Sequence, residues 1–380
     1  MPCLTIRKYL VYLFAVFIFL AGFILPPISA SSRDAAEKIP GFLEKENQIK
    51  YALYAVDLLF HRRYDEAENL FQGWAQEWPT SILGPLGMLG LYELKNFENY
   101  SFTAQPEELP WQKRSYDWAK EIYEREKSED WEYLAAGGAL GTSGFYQVQR
   151  GKWVRGLGEA ILAFRVLKKS IANNPQFKDA LVGIGLYEFW RSVFTQRFRF
   201  LPFFPDERQK GIQDILTSIQ EGQYVAPLGE ASLAFVYFQE KDFKKTEEIC
   251  QKFLKKFPEN IIVRLLYANS LSATKKFDQA HHEYQKILRQ VPTNTLTPFF
   301  IANNLYHQKQ NLNEAQLLIE SFLQTNPSKR LEAQAHALLG NILLAQDDKE
   351  GAKRHYRKAL SLNHSLPLTR QHLKELIQTQ

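Results

Sequence analysis

Cysteine is nearly absent: Cys3 and Cys250 are the only two, and they stand on opposite sides of the N-terminal apolar run. Once that run is removed no internal disulfide can form, which excludes a small fold stapled by bridges even in an oxidising compartment. The sequence also lacks H-E-x-x-H, C-x-x-C and EF-hand patterns, so no metal site is expected. Neither sign of charge dominates. There are 47 Lys and Arg against 42 Asp and Glu, a formal +5, and this balance gives no reason to expect nucleic acid as a partner.

Large apolar side chains are plentiful instead: 27 Phe, 18 Tyr and 7 Trp must find packing partners. The N-terminus has the form of an export signal. Arg7 and Lys8 precede an apolar run from Tyr9 to Leu25, and Pro26-Pro27-Ile28-Ser29-Ala30 leads into the polar Ser31-Ser32-Arg33-Asp34. Cleavage is expected after Ala30. The rival is an uncleaved anchor, because the run nearly reaches the ~20 residues that span a bilayer, although Pro26-Pro27 would break a helix there. No cysteine stands directly after the run, so a lipoprotein-type signal is not supported.

Self-similarity organises the rest. Phe277–Asn294 aligns with Leu312–Lys329 at an offset of 35, placing Ala280 on Ala315, Tyr284 on Ile319 and Pro292 on Pro327. One unit upstream, Thr246, Cys250 and Pro258 occupy the same places; downstream come Gly340, Ala352, Tyr356 and Ala359, with His364 where proline is expected. Ala55, Ala67, Phe71 and Pro79 put a unit of the same register at Gln48–Thr80. Apolar residues recur at i, i+3, i+4 and i+7, small residues let paired helices approach, and proline ends each unit. Each hairpin then leaves an apolar face that only the next can cover. In that register Cys250 is a core filler.

These residues resemble the tetratricopeptide repeat. The expected fold is all-α: a right-handed superhelical solenoid of about eight helical hairpins. The boundaries follow as 1–30 signal or anchor, 31–47 polar lead-in, 48–226 irregular hairpins, 227–366 four near-regular units, and 367–380 a capping helix.

Several stretches invite a catalytic reading and do not support one. Gly151-Lys152 has Tyr146 where a phosphate loop needs glycine and Trp153 where it needs Ser or Thr. Gly138, Gly141 and Gly144 recur every three residues, as on a helix face pressed against a neighbour, with Gly137 beside them. Thr142-Ser143-Gly144 lacks the spacing of a hydrolase elbow. His281 and His282 are adjacent on a helix, so their side chains diverge by about 100°. Glu247-Glu248 and Asp347-Asp348 sit in charged segments that suit a solvated surface. Neither catalysis nor a cofactor is expected.

Resemblance to the repeat family implies that the first helix of each unit lines a concave groove. Asn269, Asn304 and Asn341 follow the small position in three successive units and would form a ladder. An amide offers one acceptor and two donors, which suits the backbone of an extended protein or peptide ligand; the alternative is a hydrogen bond to the adjacent helix. Some relatives clamp a carboxylate with basic residues beside such asparagines. Here the residues four positions earlier are Leu265, Phe300 and Ala337, so that clamp is not expected. Further forward, Phe235, Phe238, Phe189 and Trp190 would make the groove aromatic.

One hairpin carries an insertion. From Gly185 to Gly211 the small positions are 26 residues apart instead of 12. The stretch FTQRFRFLPFFPDERQKG, Phe194–Gly211, should leave the helix and run extended, because Arg197-Phe198-Arg199-Phe200 alternates and proline follows both Leu201 and Phe204. A second helix is expected from Pro205, with Asp206 and Glu207 in its first turn. Arg197, Phe198, Arg199, Phe203 and Phe204 are candidates for a lid, a partner contact or a membrane-surface contact; the alternative is a plug of buried rings.

Around this insertion Gly183, Gly185, Tyr187, Leu201, Pro202, Phe203, Phe204, Asp206, Arg208, Gly211 and Ile212 resemble the G-x-G-x-Y and L-P-F-F-x-D-x-R-x-x-G-I segments of exported bacterial tetratricopeptide proteins. The resemblance runs from about Trp131 to Leu366 and implies fold and export, with no activity. The expected function is an exported scaffold that binds a protein or peptide; the alternative is a structural envelope protein held by an uncleaved anchor and the aromatic insertion.

Overall fold

A computed structural model describes residues 45–99, 106–196 and 205–378, with side chains from Leu53 onward. The export segment, most of the lead-in and residues 197–204 lie outside the described residues. Every described regular element is a helix. The pairs are α1 (Lys45–Phe60) with α2 (Tyr64–Glu77), α3 (Leu83–Asn99) with α4 (Glu108–Glu124), α5 (Asp130–Gln149) with α6 (Trp153–Asn173), and α7 (Ala180–Phe194) with α8 (Arg208–Glu221). They continue as α9 (Ala226–Glu240) with α10 (Phe243–Lys256), α11 (Ile261–Ala273) with α12 (Phe277–Gln290), α13 (Thr297–Gln308) with α14 (Leu312–Gln324), and α15 (Lys329–Ala345) with α16 (Lys349–Leu362). A single helix, α17 (Pro367–Gln378), follows the eighth hairpin. No described helix is long and apolar enough to cross a membrane.

Small residues set how closely the helices approach. Gly87 lies so near Phe71 that any side chain there would enter the ring, and Gly340 stands in the same relation to Tyr356. Gly144 faces the backbone oxygen of Gly156, 2.8 Å from where a Cβ would sit, and Gly137 packs on Leu167. The glycine-rich stretch of α5 is thus a tight helix face, and its residues 133–147 are all buried. Cys250, Tyr284, Ile319 and Tyr356 fill the equivalent core position of four second helices. Burial pushes the Cys250 thiol well above its ordinary range.

Within most hairpins the turn contains a residue of left-handed conformation: Arg62, Gly151, Lys241, Lys275, Lys309 and Asp347 have φ between 55° and 78°, and Asn311 adds a second to the α13–α14 turn. At Lys241 the N–H donates to Phe238 O at 3.0 Å and the next N–H, of Asp242, to Tyr237 O at 2.9 Å, which satisfies carbonyls the helix end would leave open. Helix starts are held in several ways. Asp242 and Asp348 accept the N–H of Lys245 and Gly351, and Glu129 with Glu132 forms a reciprocal capping box on α5.

Contacts divide the chain into two compact units, with the boundary inside α11. The N-terminal unit comprises the described residues up to Phe97 and from 106 to Leu266; the C-terminal unit comprises Tyr267 onward with Glu98 and Asn99. In the N-terminal unit, α1 meets α10 as well as α2. The Phe60 ring lies 5.5 Å from that of Phe253 and 4.9 Å from that of Phe257. Thus the first described hairpin packs the last turn of α1 on the fifth hairpin.

The α8 start differs from expectation. The helix begins at Arg208, not Pro205. Glu207 pairs with Arg191 and gives its N–H to Ser192 Oγ at 2.9 Å, while Asp206 pairs with Arg208. Those side-chain ties hold Pro205–Glu207 against the end of α7 and delay the helix by three residues.

Candidate functional site

The asparagine series lies in the C-terminal unit, and its oxygens are turned inward. Asn269 and Asn304 have no exposed surface. Tyr284, on the second helix of the same hairpin, donates to Asn269 Oδ1 at 2.7 Å, and Ser272 Oγ donates to Asn304 Oδ1. Asn341 is half-buried; its oxygen takes the phenol of Tyr356 at 2.8 Å and lies 3.2 Å from Nδ1 of His372 on α17. Asn269 serves the packing of its own hairpin and Asn304 ties its hairpin to the preceding one, and Asn341 alone of the three reaches the surface. Beside them, Asn303, Tyr306 and Tyr267 are among the half-exposed residues of α11 and α13.

The aromatic candidates lie in the N-terminal unit and are core. Phe189, Phe235 and Phe238 are fully enclosed and Trp190 nearly so. Phe189 packs edge-on to Trp190 at 5.3 Å, and Phe238 edge-on to Phe243 at 5.2 Å. Their positions follow a helix face that meets its own partner helix, which periodicity alone does not separate from a face lining a groove. Arg197, Phe198, Arg199, Phe203 and Phe204 lie outside the described residues.

The glycines of the G-x-G-x-Y and R-x-x-G-I segments build the base of that insertion. A side chain on Gly185 would collide with the backbone oxygen of Gly211, and one on Gly211 with the oxygen of Gly185, so α7 and α8 cross backbone to backbone. Gly183 gives the same clearance to Leu167, and Tyr187 stacks on Phe164 at 4.4 Å. Arg208 then reaches Glu240 on α9 at 2.8 Å. Asp179, buried in the turn before α7, accepts the N–H groups of Gln223, Tyr224 and Val225 at 3.0, 2.6 and 3.0 Å and fixes the α8–α9 turn; burial pushes its carboxyl up.

A buried ionic cluster among α3, α4 and α5 has no counterpart in the sequence reading. Arg150 Nη2 lies 2.7 Å from Glu108 Oε2 and Nη1 3.4 Å from Glu93 Oε1, with both carboxylates fully enclosed. Asn96 donates to Glu108 Oε1 at 2.6 Å, and the guanidinium stands 3.5 Å from the centre of the Tyr146 ring. Burial raises Glu93 to about 8, with Glu108 adding to the rise and Arg150 opposing it. Glu93 therefore holds its proton to higher pH than an ordinary carboxyl. Glu93 within a helix, Glu108 at a helix start and Arg150 just past a helix end each look solvated in sequence, and nothing there brings the three together.

Two further features depart from the sequence reading. Glu247, expected at the surface, is buried, because its position on α10 falls next to the core residue Thr246; Glu248 is exposed. His336 and His355 bring their Nδ1 atoms to 2.9 Å across the eighth hairpin. Burial lowers both, assisted for His336 by the charge on His355 and for His355 by Arg354. Among the described residues no three His, Cys, Asp or Glu converge as a metal would require.

A consecutive series of helical hairpins, each packing small residues against its neighbour, is a helical-repeat solenoid. Residues 225–379 match the family described as the tetratricopeptide repeat-like domain. Among solved structures the chain is similar to one from the APC/C hetero-tetramer Cut9–Hcn1, with a TM-score of 0.62 at 16% identity, over 90% of this chain and 58% of that one. Shorter likenesses are to a tetratricopeptide repeat protein from Parabacteroides merdae (TM-score 0.45, 17% identity, 75% of this chain and 98% of that one) and to pilF from Pseudomonas aeruginosa (0.45, 16%, 65% and 99%). No curated protein matches the chain. The match to the tetratricopeptide repeat-like family lies in the C-terminal part of the chain, and the likeness to the Cut9–Hcn1 structure extends the helical-repeat fold over most of the rest.

Proposed function

We propose that the chain is an exported scaffold that binds a protein or peptide partner on its repeat surface and performs no chemistry of its own. The observation that carries this reading is recurrence. The same two-helix plan repeats eight times, so first-helix residues such as Asn303, Tyr306 and Asn341 present a surface suited to an extended polypeptide. The export part rests on the basic, apolar and small-residue order of the first 30 residues.

The test is site-specific capture. A photocrosslinking residue at 303 or 306 of the full chain, irradiated in the native cell, is expected to trap one shared polypeptide, and crosslinks no stronger than those from the exposed Lys309 would reject the surface. Export predicts a mature chain that begins at Ser31 outside the cytoplasm; a cytoplasmic chain that retains Met1 would reject it.

A further inference from the structure

Among the described residues, α6 presents the densest cluster of exposed large apolar side chains. Val154 is 90% exposed, Leu157 60% and Trp153 52%, a cluster of large apolar side chains in the first two turns. On a helix of 3.6 residues per turn, positions 153, 154, 157 and 161 share one side with 165 and 168. Ile161 is half-buried at the edge of the patch, and Arg165 and Lys168 are exposed beyond it. Lys152 is exposed just before the helix. The face is thus apolar at its start and cationic at both ends.

Its charge has one sign. The only acid in α6 is Glu159, which is buried and paired with Arg155 at 2.8 Å. Several acids of neighbouring helices pair with other cations: on α4, Asp117 pairs with Lys113, Glu121 with Arg125 and Glu124 with Lys120; on α5, Glu132 pairs with Arg125; on α7 and α8, Glu188 and Asp214 pair with Lys210. The patch also extends to the next helix. Phe164 stacks on Tyr187, and α6 and α7 run in opposite directions, so seven residues back along α6 and seven forward along α7 bring Leu157 and Phe194 to the same height. Phe194 is 57% exposed.

Apolar side chains led by a tryptophan and flanked by cations are what the boundary of an anionic bilayer receives: the ring and aliphatic groups enter the acyl boundary while Lys and Arg meet the headgroups. We propose that the exposed face of α6, formed by Trp153, Val154 and Leu157 with Lys152, Arg165 and Lys168, docks on an anionic lipid bilayer. The surface is separate from the partner surface proposed above, and either assignment stands without the other.

The N-terminal apolar segment can enter lipid by itself, so the experiment must read α6 directly. Full-length chain is mixed with vesicles of phosphatidylcholine and phosphatidylglycerol carrying brominated acyl chains, and tryptophan emission is compared between wild type and Trp153→Phe. Bromine is expected to quench a component that Trp153→Phe lacks. Each Lys or Arg near an anionic surface contributes about fivefold to binding, so Lys152→Gln/Arg165→Gln/Lys168→Gln should weaken partitioning into these vesicles by about a hundredfold. Binding to pure phosphatidylcholine should stay as in wild type. Equal fractional quenching of wild type and Trp153→Phe overturns the proposal, as does equal partitioning of the triple variant. Poly-L-glutamate that binds through the same three cations and is not displaced by phosphatidylglycerol vesicles would assign the face to an acidic polypeptide and overturn it as well.

Discussion

The phenol of Tyr284 donates to the amide oxygen of Asn269 at 2.7 Å, fifteen residues away in the same hairpin, and Tyr356 repeats the bond to Asn341 at 2.8 Å. Removing the hydroxyl from the first pair leaves a fully buried acceptor. Tyr284→Phe should lower stability by about 1–3 kcal/mol. Tyr356→Phe should cost less, because Asn341 reaches the surface and His372 lies beside it. Denaturant titration of both variants measures the difference, and equal losses would separate the pair's role from its burial.

Gly185 and Gly211 lie where two backbones touch, and neither backbone can yield as a side chain can. Gly185→Ala should destabilise by about 2–3 kcal/mol, the cost of overpacking a rigid contact. Gly158, within α6, faces open space and gives the opposite control. Gly158→Ala should stabilise by about 0.5–1 kcal/mol through helix propensity. Thermal unfolding that moves in the same direction for both would contradict this account.

Glu93 makes stability depend on pH with an unusual sign. Its folded value of about 8 lies above the ordinary carboxylate range, so between these limits the folded chain holds a proton that the unfolded chain has released. The contribution is present below the unfolded value and is lost as pH rises toward 8. Glu93→Gln should remove that slope: the variant approaches wild type below pH 5 and exceeds it above pH 8. The difference in midpoint temperature between the two chains, followed from pH 5 to 9, reads it directly.

The His336–His355 pair acts in the acid range. Both values are lowered in the folded chain, so the unfolded state takes up protons first as pH falls through about 6.5. Stability present above that pH is lost below it. In His355→Asn the loss between pH 6.5 and 5 should shrink, which a denaturation series at fixed ionic strength would detect.

The fold could be read from sequence because repeats report their own packing. Cys250, Tyr284, Ile319 and Tyr356 are chemically dissimilar, yet their spacing alone assigns them one position, and all four are buried. Site residues were less legible. An apolar or amide residue on a first helix occupies the same period whether it faces a groove or its own partner helix, and Phe235, Phe238 and Asn269 turn inward. The cluster of Glu93, Glu108 and Arg150 depends on three helices brought together, with Glu93 and Arg150 57 residues apart, which local pattern does not encode. The α6 face escaped for a related reason. In sequence Trp153-Val154 looks like ordinary core, and only accessibility distinguishes it.

The contact of Phe60 with Phe253 and Phe257 joins residues nearly 200 positions apart. In an open array of repeats each hairpin touches only its neighbours, so the ends fray and folding spreads from wherever it begins. Here the entropy of closing a long loop must be met before that contact forms, which slows the final step relative to the local hairpins. Once formed, the contact ties the fate of the first hairpin to the fifth. The N-terminal unit should therefore exchange its α1 amides with solvent at the rate of its interior, not at the rate of a chain end.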